Sequence, residues 1–133
     1  MAVRSQLVGI ARALWSNSPH HGARIVAMIL HNPSLLQEWR ENLMTMSERI
    51  LGMRQELYQA LKAVGVRWDH MLRQKGMFSY TGLTVPQVEY LISKYHIYLM
   101  KSGRISLCGL NSANIQYFVD AVKDAVAIHP ERD

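Results

Sequence analysis

The sequence predicts a mixed α/β protein in which a long helix leads into a small unit of strands and helices. Two observations support this prediction. One apolar series, at alternating four- and three-residue steps, continues without a break toward Gly65. Beyond Gly65, short apolar runs bounded by glycine alternate with helical patterns, which is typical of a strand–helix–strand–strand–helix unit.

Two shorter helices are expected before the long one. Residues Val3–Trp15 carry apolar side chains at helical spacing, and the turn cluster Ser16–Pro19 ends that pattern. The stretch Ala23–Leu30 is apolar on nearly every side apart from Arg24, and a helix of that kind is normally buried between other elements. Without such neighbours it would expose an apolar patch that soluble monomers seldom tolerate.

The long helix is the clearest element, and we expect it over residues 33–65. Asn32 is a good N-cap, Pro33 suits the first turn, and Gly65 is a natural stop. Its apolar seam consists of Trp39, Leu43, Met46, Ile50, Met53, Leu57 and Leu61. A helix about 45 Å long exceeds the core of one small domain, so we expect it to connect two bodies or to pack against a partner.

The small unit is expected over residues 66–133. Thr84 and Gln87 match a capping box that opens a helix, and Asn111 or Ser112 is expected to cap the last helix. Three strands are expected, over Met77–Thr81, His96–Met100 and Arg104–Cys108.

Composition and charge exclude several classes of function. At 49% hydrophobic and 19% charged residues the chain is globular, and its apolar runs are too short to span a bilayer. The first four residues lack the apolar segment of a signal peptide, and a single cysteine, Cys108, indicates a reducing compartment. The net charge of +5 is spread along the chain. Arg40, Arg49 and Arg54 alternate with glutamates, as on a solvated helix face, which disfavours a nucleic-acid binder.

No self-contained catalytic or metal-binding motif appears in the sequence, which has no glycine-rich phosphate loop, paired-cysteine motif or His-Glu-x-x-His. We expect His20 and His21 on a loop surface, and His70 and His96 as structural hydrogen-bonding groups. Cys108 is expected to be a small core residue.

Two arginines, Arg12 and Arg104, stand where the chain changes direction. Arginine binds a carboxylate through two parallel N–H···O bonds, and two facing arginines would select a dicarboxylate. Spacing alone places both of these arginines at the surface.

Motif-like segments follow one another in fixed order across nearly the whole chain. They are Arg12–Pro19 with Gly22–Ile25, Trp68 with His70, Gln74–Leu83, Gln87–Leu91, His96–Leu99 and Ser102–Ile105. In order and spacing they resemble the motifs of aspartate aminotransferases, from about Ser5 to Val126.

The resemblance implies a function and a role for five residues. It implies transfer of an amino group between aspartate or glutamate and 2-oxo dicarboxylates, in a homodimer, with pyridoxal phosphate as electron sink. Arg104 would bind the substrate α-carboxylate, with Phe78 against that site. Arg12 would bind the distal carboxylate in the neighbouring subunit's active site, and Ser16 and Asn17 would line that inter-subunit region.

The resemblance also implies a domain plan and an incomplete active site. Residues 1–32 would end the large cofactor-binding domain, 33–65 would form the connector helix, and 66–133 the small C-terminal domain. In the family a lysine of a Ser-x-Ser-Lys type motif holds the cofactor as a Schiff base, and none of the five lysines here lies in such a context. Ser18 and Tyr80 replace a usual proline and phenylalanine, and both replacements are expected to be tolerated.

Two hypotheses from different functional classes follow. The first is the C-terminal part of an aspartate aminotransferase, with neither a catalytic residue nor a metal site of its own, inactive alone and active within a full-length chain. The second is a non-catalytic truncated paralogue or isoform that binds and modulates a full-length aminotransferase subunit. Neither hypothesis involves nucleic acid or a membrane. The expected compartment is the cytoplasm, with the mitochondrion as the alternative.

Overall fold

A computed structural model of the chain describes residues 2–16 and 19–130. The helices are α1 (Ala2–Trp15), α2 (His20–His31), α3 (Pro33–Ala63), α4 (Val85–Tyr95) and α5 (Ile115–Ile128), and the strands are β1 (Phe78–Tyr80) and β2 (Arg104–Ser106). Short 3-10 helices cover Asp69–Arg73 and Leu107–Gly109. The chain divides into two compact units, Met1–Met44 and Thr45–Asp133. Within the described ranges no helix has the length and hydropathy that crossing a membrane requires.

The first unit leaves the apolar side chains of α1 and α2 exposed to solvent. None of the described residues of these two helices is buried. Leu14 is 67% exposed and Met28 is 65% exposed. The helix expected over Ala23–Leu30 is longer than predicted and starts at His20. His20 and His21 therefore lie in its first turn, and the prediction that they occupy a loop is wrong.

Local signals set both ends of α3, as the sequence predicted. The Asn32 side chain accepts two backbone N–H groups of the first turn, at 3.0 and 3.2 Å. At the other end Gly65 has a φ of 88°, a conformation that favours glycine. The N–H groups of Gly65 and Val66 donate back into the last turn at 3.1 and 3.0 Å, which is the hydrogen-bond pattern of a Schellman motif.

The apolar seam of α3 is buried toward its carboxyl-terminal end. Leu57 and Leu61 are fully buried, and Ile50 and Met53 are half-buried. Earlier on the same seam Trp39 is 44% exposed. The last turns of α3 therefore belong to the core of the second unit.

The core of the second unit forms between α4, α5 and the end of α3. Its fully buried apolar side chains are Leu57, Leu61, Met71, Val88, Leu91, Leu107, Val119, Ala121, Val122 and Ala125. Gln87 accepts the backbone N–H of Thr84 at 2.8 Å, so the predicted capping pair opens α4. The last helix has Asn114 as its N-cap, whereas Asn111 caps the preceding turn by accepting the N–H groups of Ala113 and Asn114. The predicted cap position is therefore wrong by two or three residues.

The two strands pair antiparallel, with Phe78 opposite Ser106, Ser79 opposite Ile105 and Tyr80 opposite Arg104. With the surrounding helices they confirm the mixed α/β class. On both strands the outer residues are exposed and the middle residue is buried.

The strand predicted over His96–Met100 is absent. His96 adopts a left-handed φ of 53° at the end of α4, so an extended strand cannot begin there. The Met100 N–H then donates to the Arg104 carbonyl at 3.3 Å across a tight turn, without a regular ladder. The strand predicted over Arg104–Cys108 is shorter than expected, because its last two residues turn into a 3-10 helix. That turn leaves Cys108 exposed, so its predicted core placement is also wrong.

Candidate functional site

The start of β2 is fixed by Gly103. This residue has a φ of 79°, and a Cβ at its position would lie 3.1 Å from both the Leu83 carbonyl oxygen and Thr81 Oγ1. Thr81, which is buried, donates to the Gly103 carbonyl from its backbone N–H at 3.0 Å and from its hydroxyl at 2.8 Å. The backbone that leads into Arg104 is therefore held against a buried side chain, and only glycine fits the close approach.

The Arg104 guanidinium lies over the ring of Phe78, with Cζ 4.5 Å from the ring centroid. Arg104 pairs with Tyr80, so Phe78 is its diagonal neighbour on the exposed face of the sheet. At this distance the contact is a cation–π interaction, which holds the guanidinium beside the ring. In the described part of the chain, no hydrogen bond or ion pair engages the Arg104 N–H groups. They are therefore free to bind a ligand.

Backbone hydrogen bonds from two side chains hold the end of β1. Tyr80 donates its N–H to Gln74 Oε1 at 2.8 Å, and Gln74 Nε2 donates to the Tyr80 carbonyl at 3.0 Å. His70 Nε2 lies 3.0 Å from the same carbonyl. His70 thus makes a structural hydrogen bond, as its lone position in the sequence predicted. The reciprocal Gln74 contact was not predicted, because no local pattern pairs residues six positions apart.

Arg54 is buried, and the prediction that it belongs to a solvated helix face is wrong. Its side chain is 3% exposed. It donates to the carbonyls of Met71 at 3.1 Å and Gly76 at 2.7 Å, and to the hydroxyl of Ser79. The signal in the sequence is its spacing, since Arg54 precedes the buried Leu57 by three residues and so shares its side of α3.

Arg12 lies in the last turn of α1 and is exposed, as predicted. The helix ends at the next residues, where Ser16 has a φ of 64° and donates its N–H to the Arg12 carbonyl at 3.1 Å. Asn17, the other predicted inter-subunit residue, lies outside the described residues. Arg12 belongs to the first unit and Arg104 to the second.

Two cavities, of about 300 and 380 Å³, open on the second unit. The first is lined by residues of β2, of α5 and of the segment after α4, and the second by the segment after α3, the start of α4 and the end of α5. Neither cavity is lined by a lysine. All five lysines are exposed, and two of them form ion pairs at 2.7 Å, Lys94 with Asp124 and Lys101 with Glu89. Within residues 2–16 and 19–130, no three metal-ligating side chains of His, Cys, Asp or Glu converge.

Comparison with known sequences assigns the chain to a protein family. The family model described as aminotransferase class I and II matches residues 1–122. The cytoplasmic aspartate aminotransferase of Gallus gallus is 49% identical over 126 residues, which cover 93% of this chain and 31% of the relative. That of Dictyostelium discoideum is 52% identical over 124 residues, covering 92% of this chain and 28% of the relative. The chain therefore spans less than a third of the length of these curated relatives.

Solved structures agree. The cytoplasmic aspartate aminotransferase of Saccharomyces cerevisiae matches with a TM-score of 0.85 at 43% identity, over 96% of this chain and 32% of that one. The cytoplasmic enzyme of Giardia lamblia matches with a TM-score of 0.86 at 41% identity, over 98% and 33%. Sequence and fold lead to the same conclusion, and the chain belongs to the class I and II aminotransferases.

Proposed function

We propose that this chain supplies the carboxylate-binding part of an aspartate aminotransferase, which moves an amino group between aspartate or glutamate and 2-oxo dicarboxylates. The main support is the Arg104 guanidinium, which lies over the Phe78 ring at 4.5 Å and is exposed on the sheet. In this role Arg104 binds the substrate α-carboxylate, and Phe78 holds the guanidinium in place.

Arginine suits this role because its charge and its geometry are both fixed. A guanidinium stays protonated at any physiological pH and offers parallel N–H groups that match the two oxygens of a carboxylate. A lysine at the same position would present a rotating point charge. The contact with the Phe78 ring engages none of the N–H donors of Arg104 in a hydrogen bond to the described residues, so they can serve the ligand.

Arg12 is proposed to bind the distal carboxylate of the substrate in the active site of the neighbouring subunit of a homodimer. Ser16 and Asn17 are proposed to line the same inter-subunit region. The support is the placement of Arg12 at the exposed end of α1, immediately before the left-handed Ser16 ends the helix. Because Arg12 is exposed on its own chain, its guanidinium can contact a neighbouring subunit.

Class I aminotransferases use pyridoxal phosphate, which acts as an electron sink for the amino acid carbon. Holding that aldehyde covalently requires a lysine amine directed into the site. In this chain all five lysines are exposed and neither cavity is lined by one. The residues of this chain therefore do not fit the cofactor on their own, and we propose that the 133-residue chain alone is inactive.

The experiment that tests this proposal joins the chain to the part of a relative that it does not match. The 133 residues are fused behind the amino-terminal two thirds of the Gallus gallus cytoplasmic enzyme, in place of its matching segment, and aspartate transamination is assayed. We expect activity from the chimera and none from the isolated chain. An Arg104→Lys chimera serves as the matched control and is expected to lose most activity with its fold intact. A folded chimera with no transamination would overturn the proposal.

The cytoplasm is the proposed compartment, since both curated relatives described above are cytoplasmic forms. Cell fractionation with an antibody against this chain tests the compartment directly, and recovery in the mitochondrial fraction would contradict it.

A second function is supported by the exposed apolar side chains of α1 and α2, among them Leu14, Trp15 and Met28. In this alternative the chain is a non-catalytic truncated paralogue or isoform that covers this surface with a full-length aminotransferase subunit and modulates its activity. Mixing the purified chain with the full-length Gallus gallus enzyme tests it. Co-elution with a change in specific activity would support modulation, whereas separate elution and unchanged activity would exclude it.

A further inference from the structure

Arg54 is a cation buried among uncharged acceptors. Its two terminal nitrogens donate to two backbone carbonyls and one hydroxyl, on Met71, Gly76 and Ser79. Its Nε is buried and has no acceptor among the described residues. Burial lowers the pKa of the guanidinium, because desolvation disfavours its charged form, although an arginine remains protonated in a protein. Burying a charge without a counterion is costly, and the hydrogen bonds that Arg54 donates offset part of that cost.

The three acceptors lie along one stretch of chain that ends in β1. Met71 belongs to the 3-10 helix Asp69–Arg73, Gly76 to the turn after it, and Ser79 to the strand. One side chain of α3 therefore fixes this stretch at three points. Ser79 is 2% exposed, and its neighbours along the strand, including Phe78, face the opposite, exposed side.

We propose that Arg54 is a positioning residue for the carboxylate site: it fixes β1 from the buried side through Ser79, and β1 in turn presents Phe78 to the guanidinium of Arg104. The inference rests on the proposed role of Arg104 and adds to it the element that sets its geometry. A binding group must be held within about 0.5 Å of its productive position, and β1 has only three residues with which to hold Phe78.

Holding β1 and the preceding turn at several points requires the two terminal nitrogens of an arginine. Its Nη1 donates to Met71 and Ser79, and its Nη2 donates to Gly76, so the guanidinium connects the strand to the turn before it. A lysine would keep the charge but place a single nitrogen among these acceptors. Arg54→Lys thus removes the geometry and leaves the charge.

The test uses the full 133-residue chain and does not depend on catalysis. A guanidinium stacked on a ring shows an upfield ring-current shift of its side-chain signals, so the Arg104 Hε and Hδ resonances report its position over Phe78 directly. The Phe78→Leu variant gives the chemical shifts of the Arg104 side chain in the absence of the ring. Arg54→Lys and the milder Ser79→Ala, which removes one acceptor from the strand, are the test variants. Asp124→Asn is the control, because its contacts with Tyr90, Lys94 and Tyr95 tie α5 to α4 and leave β1 untouched.

We expect Arg54→Lys to lose most of the ring-current shift of Arg104, and Ser79→Ala to lose a measurable part of it, while the methyl signals of Val119 and Val122 keep their native dispersion. Succinate binding to Arg54→Lys should weaken about tenfold, as expected for a fractional-ångström displacement of a binding group. Asp124→Asn should melt at a lower temperature with an unchanged Arg104 shift. If Arg54→Lys does not fold, the Arg104 ring-current shift in the Ser79→Ala variant tests the inference by itself.

An unchanged Arg104 shift in folded Arg54→Lys and in Ser79→Ala would overturn the inference and leave Arg54 a purely structural residue. The proposed function fails separately, if the folded chimera described above shows no transamination. In that case the effect of Arg54 on the position of Arg104 is still read from the shift.

Discussion

Arg104 and Phe78 are diagonal neighbours across the β1–β2 pair, and the guanidinium carbon lies 4.5 Å from the centre of the ring. The contact joins the residue that begins β2 to the residue that begins β1. It holds in place a guanidinium that has no hydrogen bond to the described residues around it. The energetic value of this contact is therefore measurable through the carboxylate that Arg104 is proposed to bind.

Replacing Phe78 by leucine should weaken carboxylate binding modestly without removing it. A cation–π contact at an exposed site contributes about 0.5–1 kcal/mol, which corresponds to about two- to fivefold in affinity. Calorimetric titration of the chain with succinate measures the loss. Tyr98→Leu is the matched control, because Tyr98 is an exposed aromatic residue outside the sheet and its loss should leave the affinity unchanged. Equal affinities for Phe78→Leu and the wild type would show that the ring does not orient Arg104.

Replacement by alanine should have opposite effects on stability at two glycines, Gly103 and Gly52. Gly103→Ala forces a Cβ to within 3.1 Å of two oxygens at a φ of 79°, and should reduce the free energy of unfolding by about 1–3 kcal/mol. Gly52→Ala lies within α3 with nothing within 4 Å of the added atom, and should increase it by about 0.5–1 kcal/mol. Urea unfolding followed by circular dichroism checks both. A neutral Gly103→Ala would show that the turn before Arg104 is not held tightly.

Burial along one seam of α3 predicts unequal costs for two leucines. Leu57 is fully buried and Leu43 is 40% exposed. Leu57→Ala should therefore cost about 2–5 kcal/mol of unfolding free energy, and Leu43→Ala less than about 1 kcal/mol. Thermal and urea unfolding of both variants provide the measurement. Comparable losses would indicate that Leu43 is covered in solution by a partner or a second copy of the chain.

How much could be predicted from the sequence depended on how local each signal was. The ends of α3 and the start of α4 were predicted correctly, because Asn32, Gly65 and the Thr84–Gln87 pair act within one helical turn. The strand predicted over His96–Met100 was wrong, because its apolar pattern says nothing of the left-handed His96 or of which strand pairs with β1. The stacking of Arg104 on Phe78 joins residues 26 positions apart in the numbering, and only the family resemblance pointed to it.

The carboxylate of Asp124 should make stability depend on pH at the acid end. Hydrogen bonds from Lys94, Tyr95 and Tyr90 hold the pKa of Asp124 well below its ordinary value of 3.8. A carboxylate whose pKa is lower in the folded state stabilises the fold above its unfolded pKa and loses that contribution as the pH falls. The melting temperature should therefore fall from about pH 5 toward pH 2, and Asp124→Asn should flatten that fall.

Asp120→Asn is the control for this measurement, since Asp120 lies on the same helix and accepts a hydrogen bond from Gln116. It should keep the wild-type slope. The ion pair predicts a matching effect at the basic end, because Asp124 and Tyr90 raise the pKa of Lys94 above its ordinary 10.5. A cation with a raised pKa stabilises the fold below its unfolded pKa, and the contribution is lost as the pH rises beyond it. If the melting temperature of Asp124→Asn falls at low pH as steeply as that of the wild type, Asp124 does not cause the acid sensitivity.

The most direct test of the central claim compares two arginines on two substrates in the chimera with the Gallus gallus amino-terminal segment. Arg104→Gln should lower kcat/KM by about a hundredfold or more for both aspartate and phenylalanine, because every amino acid carries the α-carboxylate. Arg12→Gln should lower it about as much for aspartate and by less than about threefold for phenylalanine, which has no distal carboxylate. Equal losses on both substrates for Arg12→Gln, or a substrate-selective loss for Arg104→Gln, would contradict the proposed roles.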